Sequence, residues 1–402
     1  MHDARAGLEP VDPERATAAR EAIPRARHIV VKIGSNVLLG HGRSRLDRRV
    51  FCDLVHHLAA ALDDSGRRIV LVSSGAVALG RRTLAASAVP PPGPETSLTD
   101  KQALAALGQP ALMHEWAVEF AHHDRRVAQI LMSRDDFHVR ERFLNARRTL
   151  RRLLSFPDVL PILNENDTLS WEELRLGDND HLAALTTTLV EADLLVLLSD
   201  VSALHDADPR EHPEARPIPV AFADDPALQT LCAPPDRNGV GTGGMRSKVD
   251  AARSAAAFGV PTVIASGKDP GVLAAVLAGQ PAGTLLVPRE QRLSARKAWL
   301  RFGRRAEGAL RVDDGAVRAL RHQGRSLLPR GITHVEGQFE PGAAVDIIAP
   351  DGTGVARGLA AYGSDDLRRI AGHHSDDIAS LLGFSAGSAA VHRDDLVVEN
   401  VG

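Results

Sequence analysis

Cysteine is nearly absent from this sequence of 402 residues, which contains only Cys52 and Cys232. Because no metal-ligand spacing surrounds them, they argue against a disulfide framework or a zinc site and fit a reducing, cytoplasmic compartment. The chain also lacks an uninterrupted run of about 18 apolar residues, which a transmembrane helix would need. The net charge is −3, so overall charge gives no reason to expect nucleic acid or an anionic membrane as a partner.

Lysine is also rare. Of the 48 lysine and arginine residues, only five are lysines. Because arginine supplies almost every positive charge, a retained lysine is a candidate for a site that needs a compact point charge rather than a planar guanidinium. Chance retention is the alternative explanation. The five lysines are Lys32, Lys101, Lys248, Lys268 and Lys297.

Short apolar segments alternate with helical patterns over the first two thirds of the chain. This order predicts an α/β fold, in which helices cover both faces of an open, mostly parallel sheet. In such sheets, ligands bind beyond the carboxyl ends of the strands. The predicted strands are 28–33, 68–73, 126–132, 159–163, 193–198, 261–265 and 284–287. The predicted helices are 47–62, 100–122, 140–155, 179–191, 246–258 and 270–279.

Changes in composition divide the chain into segments. Residues 1–26 contain several acidic side chains and no apolar core segment, which is unlike a signal or transit peptide. Residues 308–388 contain short strand patterns separated by turns, which predict a small β-barrel. The predicted organisation is a flexible extension at 1–26, an α/β domain at 27–289 with a polar excursion at 205–238, a charged linker at 290–307, a β-barrel domain at 308–388 and a tail at 389–402.

Two of the lysines lie beside glycine-rich turns. Lys32 is near the end of the strand HIVVKI and precedes Gly34, and Lys248 closes the stretch GVGTGGMRSK. A glycine-rich loop lets backbone N–H groups approach a phosphate, and a following helix adds its positive end. Two lysines that converge there would suit phosphoryl transfer, which depends on positioning and on stabilisation of charge. The alternatives are a flexible linker and two surface lysines.

The stretch at 164–185, NENDTLSWEELRLGDNDHLAAL, is dense in carboxylates and amides. Asp178, Asn179 and Asp180 precede an apolar helix, and one of them would suffice as its N-cap. Three in a row, with further polar side chains at 164–167, exceed that need. We expect this cluster to hold the ammonium group of an amino acid, to orient lysines or to coordinate Mg²⁺.

Many stretches of the chain, in order, resemble those of the glutamate 5-kinases within the amino acid kinase family. The resemblance runs from residue 27 to about residue 395. Among the matching stretches are VVKIGSNVL, VLVSSGAVALGR, PILNENDTL, LGDNDHLAAL and GTGGMRSKVDAA. The later stretches SLLPRGI, YGSDDLRRIAGHHS and AVHRDD resemble the PUA domain of the longer members.

The resemblance implies transfer of the γ-phosphoryl group of ATP to the side-chain carboxylate of L-glutamate, with Mg²⁺ as the metal. This reaction begins proline synthesis, so L-proline is expected to inhibit in competition with glutamate. The family forms dimers and tetramers, and we expect a homo-oligomer without a membrane partner. Direct handover of the labile product, L-glutamyl 5-phosphate, to glutamate-5-semialdehyde dehydrogenase is a further expectation.

The resemblance also implies roles for individual residues. Lys32 and Lys248 match the two phosphate-binding lysines, and Asp180 matches the aspartate that orients them; the metal ligands stay unassigned. Arg175 stands where lysine is common, which keeps the charge but changes its geometry. The matching glutamate-binding positions are Ser74, Asp167 and Asn179, with Gly75, Asn164 and Asp178 close by. The matching ATP-binding positions are Lys32, Gly34, Ser35, Ser199, Asp200, Thr242, Gly243, Gly244, Met245, Arg246, Ser247 and Lys248.

Two other functions stay open from the sequence alone. Another member of the amino acid kinase family would phosphorylate acetylglutamate, aspartate, carbamate or UMP, although the NEND and GDND stretches and the PUA domain favour glutamate. The second alternative is an RNA-associated PUA protein. Residues 308–388 contain eight arginines, no lysine and ten aspartates or glutamates. Because RNA-binding surfaces are usually basic, this count makes a nucleic-acid partner an unfavoured expectation.

Overall fold

A computed structural model describes residues 7–40, 46–64, 66–85, 97–133, 135–169, 179–207, 209, 212–232, 244–289 and 306–398. The chain divides into two compact units. The first comprises Met1–Asp136 and Arg140–Arg292, and the second comprises Phe137–Val139 and Leu293–Gly402.

The first unit is built on an eight-stranded sheet. Its strand order is β3-β4-β2-β1-β5-β7-β8-β6. Every neighbouring pair in this sheet is parallel except β7 with β8, which confirms the predicted mostly parallel sheet. The strands are β1 His28–Ile33, β2 Arg68–Ser73, β3 Arg126–Met132, β4 Val159–Glu165, β5 Leu194–Ser199, β6 Val220–Phe222, β7 Thr262–Ser266 and β8 Thr284–Val287.

Helices cover this sheet, and the described part of the unit has more of them than the sequence predicts. The segments without a predicted helix include 76–85, where Gly80 counts against helix propensity. The α-helices are α1 Pro13–Ala22, α2 Ser35–Leu38, α3 Arg48–Asp63, α4 Ala76–Ala85, α5 Leu98–Ala121, α6 Asp135–His138, α7 Arg140–Leu154, α8 Asn179–Val190, α9 Ala227–Leu231, α10 Met245–Ala256 and α11 Val272–Leu277. None of the helices in the described residues is both long enough and apolar enough to cross a membrane.

The two faces of β1 have different neighbours. Ile29, Val31 and Ile33 belong to the apolar core that includes Phe51 of α3. Side chains alternate along a strand, so Lys32 lies on the other face, where α8 contacts β1 and α10 packs on α8. The first residues of α8 and α10 are thereby brought close to an ammonium group that a strand carries into the interior.

Helices α4 and α5 pack closely because of two glycines. A Cβ atom at Gly80 would lie 1.8 Å from the carbonyl oxygen of Leu104, and one at Gly108 would lie 1.8 Å from that of Ala76. Only glycine fits at either position without moving a helix. Since α4 begins directly after the β2 loop, this contact fixes the start of α4 against α5.

The N-terminal segment (residues 7–26) corrects the prediction of a flexible extension. It contains α1 and the 3₁₀ helix Ile23–Arg25, and Ile23 is buried. Arg20 Nη2 donates to the carbonyl oxygen of Pro219 at 2.9 Å. The guanidinium groups of Arg15 and Arg289 lie 5.2 and 4.2 Å from the centroid of the Phe222 ring in β6. Polar and cation–π contacts therefore hold this segment together with the apolar contacts that Ile23 and Ala26 make in the core.

The second unit is built on a five-stranded sheet with the order β10-β9-β11-β12-β13. Residues 391–398 form β13, which pairs antiparallel with β12, because Val391, Leu396 and Val398 pack in the core of this unit. This pairing corrects the prediction that these residues belong to a tail. The strands are β9 Gly308–Val312, β10 Ile332–Gly337, β11 Ala344–Ile348, β12 Gly354–Ala360 and β13 Val391–Val398. Its helices are α12 Asp314–Gln323, α13 Ser364–Ile370 and α14 Ile378–Leu382.

Candidate active site

The predicted site residues gather at one edge of the eight-stranded sheet. Strands β4, β2, β1 and β5 are neighbours and parallel, so their carboxyl ends lie side by side. The strand ends and the loops that follow them carry predicted site residues, which are Asn164 at the end of β4 and Asp167 after it, Ser74 and Gly75 after β2, Gly34 and Ser35 after β1, and Ser199 and Asp200 at the end of β5. This is the edge at which open α/β sheets bind ligands.

Lys32, Asp180 and Lys248 form a buried cluster at the centre of this edge. Lys32 Nζ lies 2.5 Å from Asp180 Oδ1, and Lys248 Nζ lies 3.2 Å from Asp180 Oδ2. Relative exposure is 5% for Lys32, 0% for Asp180 and 4% for Lys248. Two rare lysines, distant in sequence, therefore converge on one carboxylate, as the sequence analysis expects.

The two lysines stabilise the ionised form of Asp180. Burial disfavours the Asp180 carboxylate, but the charges of Lys248 and Lys32 outweigh that penalty and hold its pKa well below the ordinary range. Ser247 Oγ adds a hydrogen bond to Asp180 Oδ2 at 2.7 Å. Ammonium groups of this kind favour the ionised form of an anionic group that lies near them.

The helix ends contribute to this arrangement. Asp180 is in the first turn of α8, where a helix favours a negative charge. Lys248 is in the first turn of α10, whose N-cap is Gly244, and a cation is unfavourable there unless it has an anionic partner. The lysine in α10 is thus compensated by the carboxylate in α8.

A chain of amide groups lies beside the cluster. Asn179 Nδ2 donates to Ser74 Oγ and to Asn164 Oδ1, each at 2.8 Å. The backbone N–H of Glu165 donates to Asn164 Oδ1 at 3.0 Å and to Asn179 Oδ1 at 3.2 Å. Asn164 Nδ2 in turn donates to Gln109 Oε1 of α5 at 2.8 Å. The predicted substrate-binding residues Ser74, Asn164 and Asn179 are thus in direct contact.

Two further predicted site residues, Gly75 and Asp167, lie in the loops that follow β2 and β4. Gly75 has φ +118°, a conformation that glycine adopts readily and other residues do not. Asp167 begins the 3₁₀ helix Asp167–Leu169, and burial raises its pKa to about 6. A partly buried carboxyl with a raised pKa gains from a bound cation such as an ammonium group.

The β1 and β5 loops meet on the other side of the lysine cluster. Gly34 N donates to the carbonyl oxygen of Leu198 at 3.2 Å. Asp200 is exposed, and its two carboxylate oxygens accept from Asn36 Nδ2 at 3.1 Å and from Ser199 Oγ at 3.2 Å. Ser35 begins α2. The predicted ATP-binding positions in these two loops are therefore adjacent in space.

The remaining predicted site residues are only partly described. Met245 begins α10, and Arg246 Nη2 in the same turn donates to Gln229 Oε1 of α9 at 3.4 Å. Asp178, Thr242 and Gly243 lie outside the described residues, and so does Arg175.

Two residues of this edge were missed by the sequence analysis. Gln109 is buried and holds Asn164, and its one signal is that it is the polar residue within the apolar stretch 103–113 of α5. Asn36 holds Asp200, and its signal is its place directly after the Gly34-Ser35 turn.

Comparison with known proteins agrees with this architecture. A model described as "Amino acid kinase family" matches residues 27–266, and one described as "PUA domain" matches residues 308–382. The chain belongs to the amino acid kinase family, which implies ATP as a substrate.

The chain belongs to the glutamate 5-kinases within this family, because curated relatives with that name are similar to it over nearly their whole length. A protein named "Glutamate 5-kinase" from Geobacter sulfurreducens is 45% identical over 94% of this chain and 98% of its own length. One with the same name from Chromohalobacter salexigens is 46% identical over 96% of this chain and 99% of its own length. Among solved structures, a UMP kinase from Bacillus anthracis is 12% identical with a TM-score of 0.46, covering 66% of this chain and 97% of that chain; a likeness this distant adds nothing to the assignment.

Proposed function

We propose that the protein transfers the γ-phosphoryl group of ATP to the side-chain carboxylate of L-glutamate, giving L-glutamyl 5-phosphate. The observation that carries this proposal is the convergence of Lys32 and Lys248 on Asp180, beside a cluster of amide and carboxyl groups suited to an amino acid. The similarity to proteins named "Glutamate 5-kinase" supports glutamate as the acceptor.

The chemistry needs positioning rather than a base. A glutamate carboxylate has an ordinary pKa of about 4.3 and is ionised at neutral pH. One of its oxygens attacks the γ-phosphorus, the bond from that phosphorus to the β–γ bridging oxygen breaks, and ADP leaves; no proton moves. The obstacle is repulsion between the carboxylate and the triphosphate. Lys32 and Lys248 reduce it by contacting phosphate oxygens, and Asp180 holds both lysines in position.

The two sides of the lysine cluster receive different substrates. Asp167 suits the ammonium group of glutamate, while Ser74 and Asn179 suit its carboxylates. Ser199 and Asp200, on the β5 side, suit the nucleotide. Mg²⁺ would arrive with ATP, because proteins commonly bind it through substrate phosphates and only one or two carboxylates; both oxygens of Asp180 already face ammonium groups. When bound, the ion would neutralise charge on the phosphates.

The test is a trapping assay. Purified protein receives Mg-ATP and L-glutamate with hydroxylamine, which converts an acyl phosphate into a hydroxamate, and ADP release is followed in parallel. Acetylglutamate, aspartate, carbamate and UMP serve as competing acceptors. Glutamate-dependent ADP release with a trapped hydroxamate is expected. Turnover of another acceptor alone would overturn the assignment of glutamate but keep the phosphate site.

Inhibition by L-proline is a second part of the proposal, since the product leads to proline in the family it resembles. Proline carries the ammonium and carboxylate groups of an amino acid, so it should compete for Asp167 and the amide chain. Millimolar L-proline is expected to raise the apparent KM for glutamate and to leave the maximal rate unchanged. An apparent KM for glutamate that does not change with L-proline would contradict this part of the proposal.

Two further expectations rest on the family resemblance. A homo-oligomer is tested by light scattering of the purified chain. Handover of the product to glutamate-5-semialdehyde dehydrogenase is tested by adding that enzyme and measuring how much product escapes to cyclise. A cytoplasmic location also stays a prediction, which cell fractionation would check.

A further inference from the structure

The amide chain of the candidate active site extends into helix α5. Gln109 has 9% relative exposure, and its Oε1 accepts the hydrogen bond from Asn164 Nδ2 at 2.8 Å. Its neighbour Gly108 is the residue at which α5 meets the start of α4. Gln109 is therefore on a tightly packed helix and not on a loop.

A backbone group sets the direction of the hydrogen bonds in this chain. The N–H of Glu165 can only donate, and it lies 3.0 Å from Asn164 Oδ1 and 3.2 Å from Asn179 Oδ1. Both side-chain oxygens must therefore face Glu165, and both amide nitrogens must face away from it. The nitrogen of Asn164 then needs an acceptor, which is Gln109 Oε1, and the nitrogen of Asn179 reaches Ser74 Oγ at 2.8 Å.

The direction of these hydrogen bonds determines where the hydroxyl hydrogen of Ser74 points. Because its oxygen accepts from Asn179, its own hydroxyl hydrogen must point to a different acceptor. Ser74 is half-buried at the end of β2, beside the lysine cluster. A hydroxyl held in this way presents a donor, which is the group that a carboxylate requires.

We propose that Gln109 is a positioning residue for the amino acid substrate. Its carbonyl oxygen holds the amide of Asn164, which fixes Asn179 and leaves the hydroxyl of Ser74 as a donor to a carboxylate of L-glutamate. The inference rests on the proposed function and adds a residue of α5 that does not itself contact the substrate.

The first test is Gln109→Met, which keeps the length of the side chain and removes the acceptor. Loss of one oriented hydrogen bond is expected to raise the KM for L-glutamate about tenfold. The KM for ATP is expected to stay within about twofold, because the nucleotide side lies across the lysine cluster. Gln280→Met is the matched control, since Gln280 is exposed in the loop before β8, and it should change neither value. Equal changes in both KM values for Gln109→Met would overturn the inference.

The second test is a double-mutant cycle with Ser74→Ala. If Gln109 acts through Ser74, Gln109→Met should change the KM for glutamate by less than about twofold once Ser74 is alanine. A purely structural role of Gln109 would give additive effects, and additivity would refute the proposal. If Gln109→Met does not fold, Gln109→Glu keeps an oxygen acceptor and is expected to stay within about threefold of the parent KM; a tenfold rise would count against the proposal. A parent protein without glutamate-dependent turnover would instead refute the proposed function.

Discussion

Replacing Asp180 by asparagine should separate the electrostatic role of the lysine cluster from its shape. The change is nearly isosteric and removes a negative charge that pairs with both Lys32 and Lys248. Both lysines are almost fully buried, so each would lose the carboxylate of Asp180 in a place that solvent reaches poorly. Asp180→Asn is therefore expected to lower the free energy of unfolding of the free enzyme.

The expected loss in the free energy of unfolding can be worked out from the distances between Asp180 and the two lysines. At 2.5 and 3.2 Å, and with an effective dielectric constant of about 20, the two attractions are each about 5–7 kcal/mol before desolvation is subtracted. Burial of the carboxylate and the hydrogen bonds that asparagine can still form offset part of this. Removal of one partner from a buried ion pair generally costs about 3–5 kcal/mol, and we expect a loss in this range.

The assay is urea unfolding followed by circular dichroism, with and without Mg-ATP. The triphosphate gives both lysines an anionic partner, so the deficit of Asp180→Asn should shrink when nucleotide is bound. Asp63→Asn is the matched control, because Asp63 pairs with Arg125 at the surface with its side chain 71% exposed and should cost less than about 1 kcal/mol. An Asp180→Asn protein within about 1 kcal/mol of the parent, or a deficit unaffected by nucleotide, would refute the reasoning.

Three further predictions concern single positions. Burial raises the pKa of Asp167 to about 6, so kcat/KM for glutamate should fall about tenfold per pH unit below 6 in the parent and much less in Asp167→Asn. The stability that this carboxyl contributes is present at low pH and is lost as pH rises through 6. A pH-independent kcat/KM in the parent would contradict this prediction. Lys248→Ala should abolish hydroxamate formation with an unchanged circular dichroism spectrum. Lys248→Arg should lower the rate of hydroxamate formation about a hundredfold, because a planar guanidinium replaces a point charge in a buried site. Near-normal activity of either variant would refute the role given to this lysine. Gly75→Ala should cost about 1–3 kcal/mol in urea unfolding because φ is +118°, more than Gly34→Ala, whose φ is −73°; equal costs would show that the backbone there is not constrained.

Much of the sheet could be predicted because its strands have a simple pattern. β1 and β2 are apolar runs buried on both faces, which end at polar turns, and both begin and end at the predicted residues. β6 could not be found in this way. Its three residues lie in a proline-rich segment and are a strand only because they pair with β8, which is a tertiary contact.

The residues of the candidate site likewise divide into those that a local sequence pattern indicates and those that only a tertiary contact defines. Lys32 and Lys248 were recognisable because lysine is rare and both lie beside glycines, and the structure brings them together at Asp180. Gln109 was not recognisable, since one glutamine in a helix has no distinguishing period or spacing. Its importance comes from the packing of α5 against the β4 loop, which a local pattern does not encode. The roles given to these residues stay predictions until the variants are measured.

The N-terminal segment also determines when the first unit can be completed during synthesis. Residues 7–26 leave the ribosome early, but Glu9 bonds to Arg289, 280 positions later. At about 5–20 residues per second, the segment waits about 15–60 s for this partner. Because α1 itself has no buried residue, the apolar surface that waits in water is small and includes Ile23 and Ala26, which are buried in the completed unit. Ribosome-bound chains that stop before residue 219 should be cut by trypsin in α1, and released chains should resist; equal cutting would contradict this order. The segment that is made first is therefore among the last to dock.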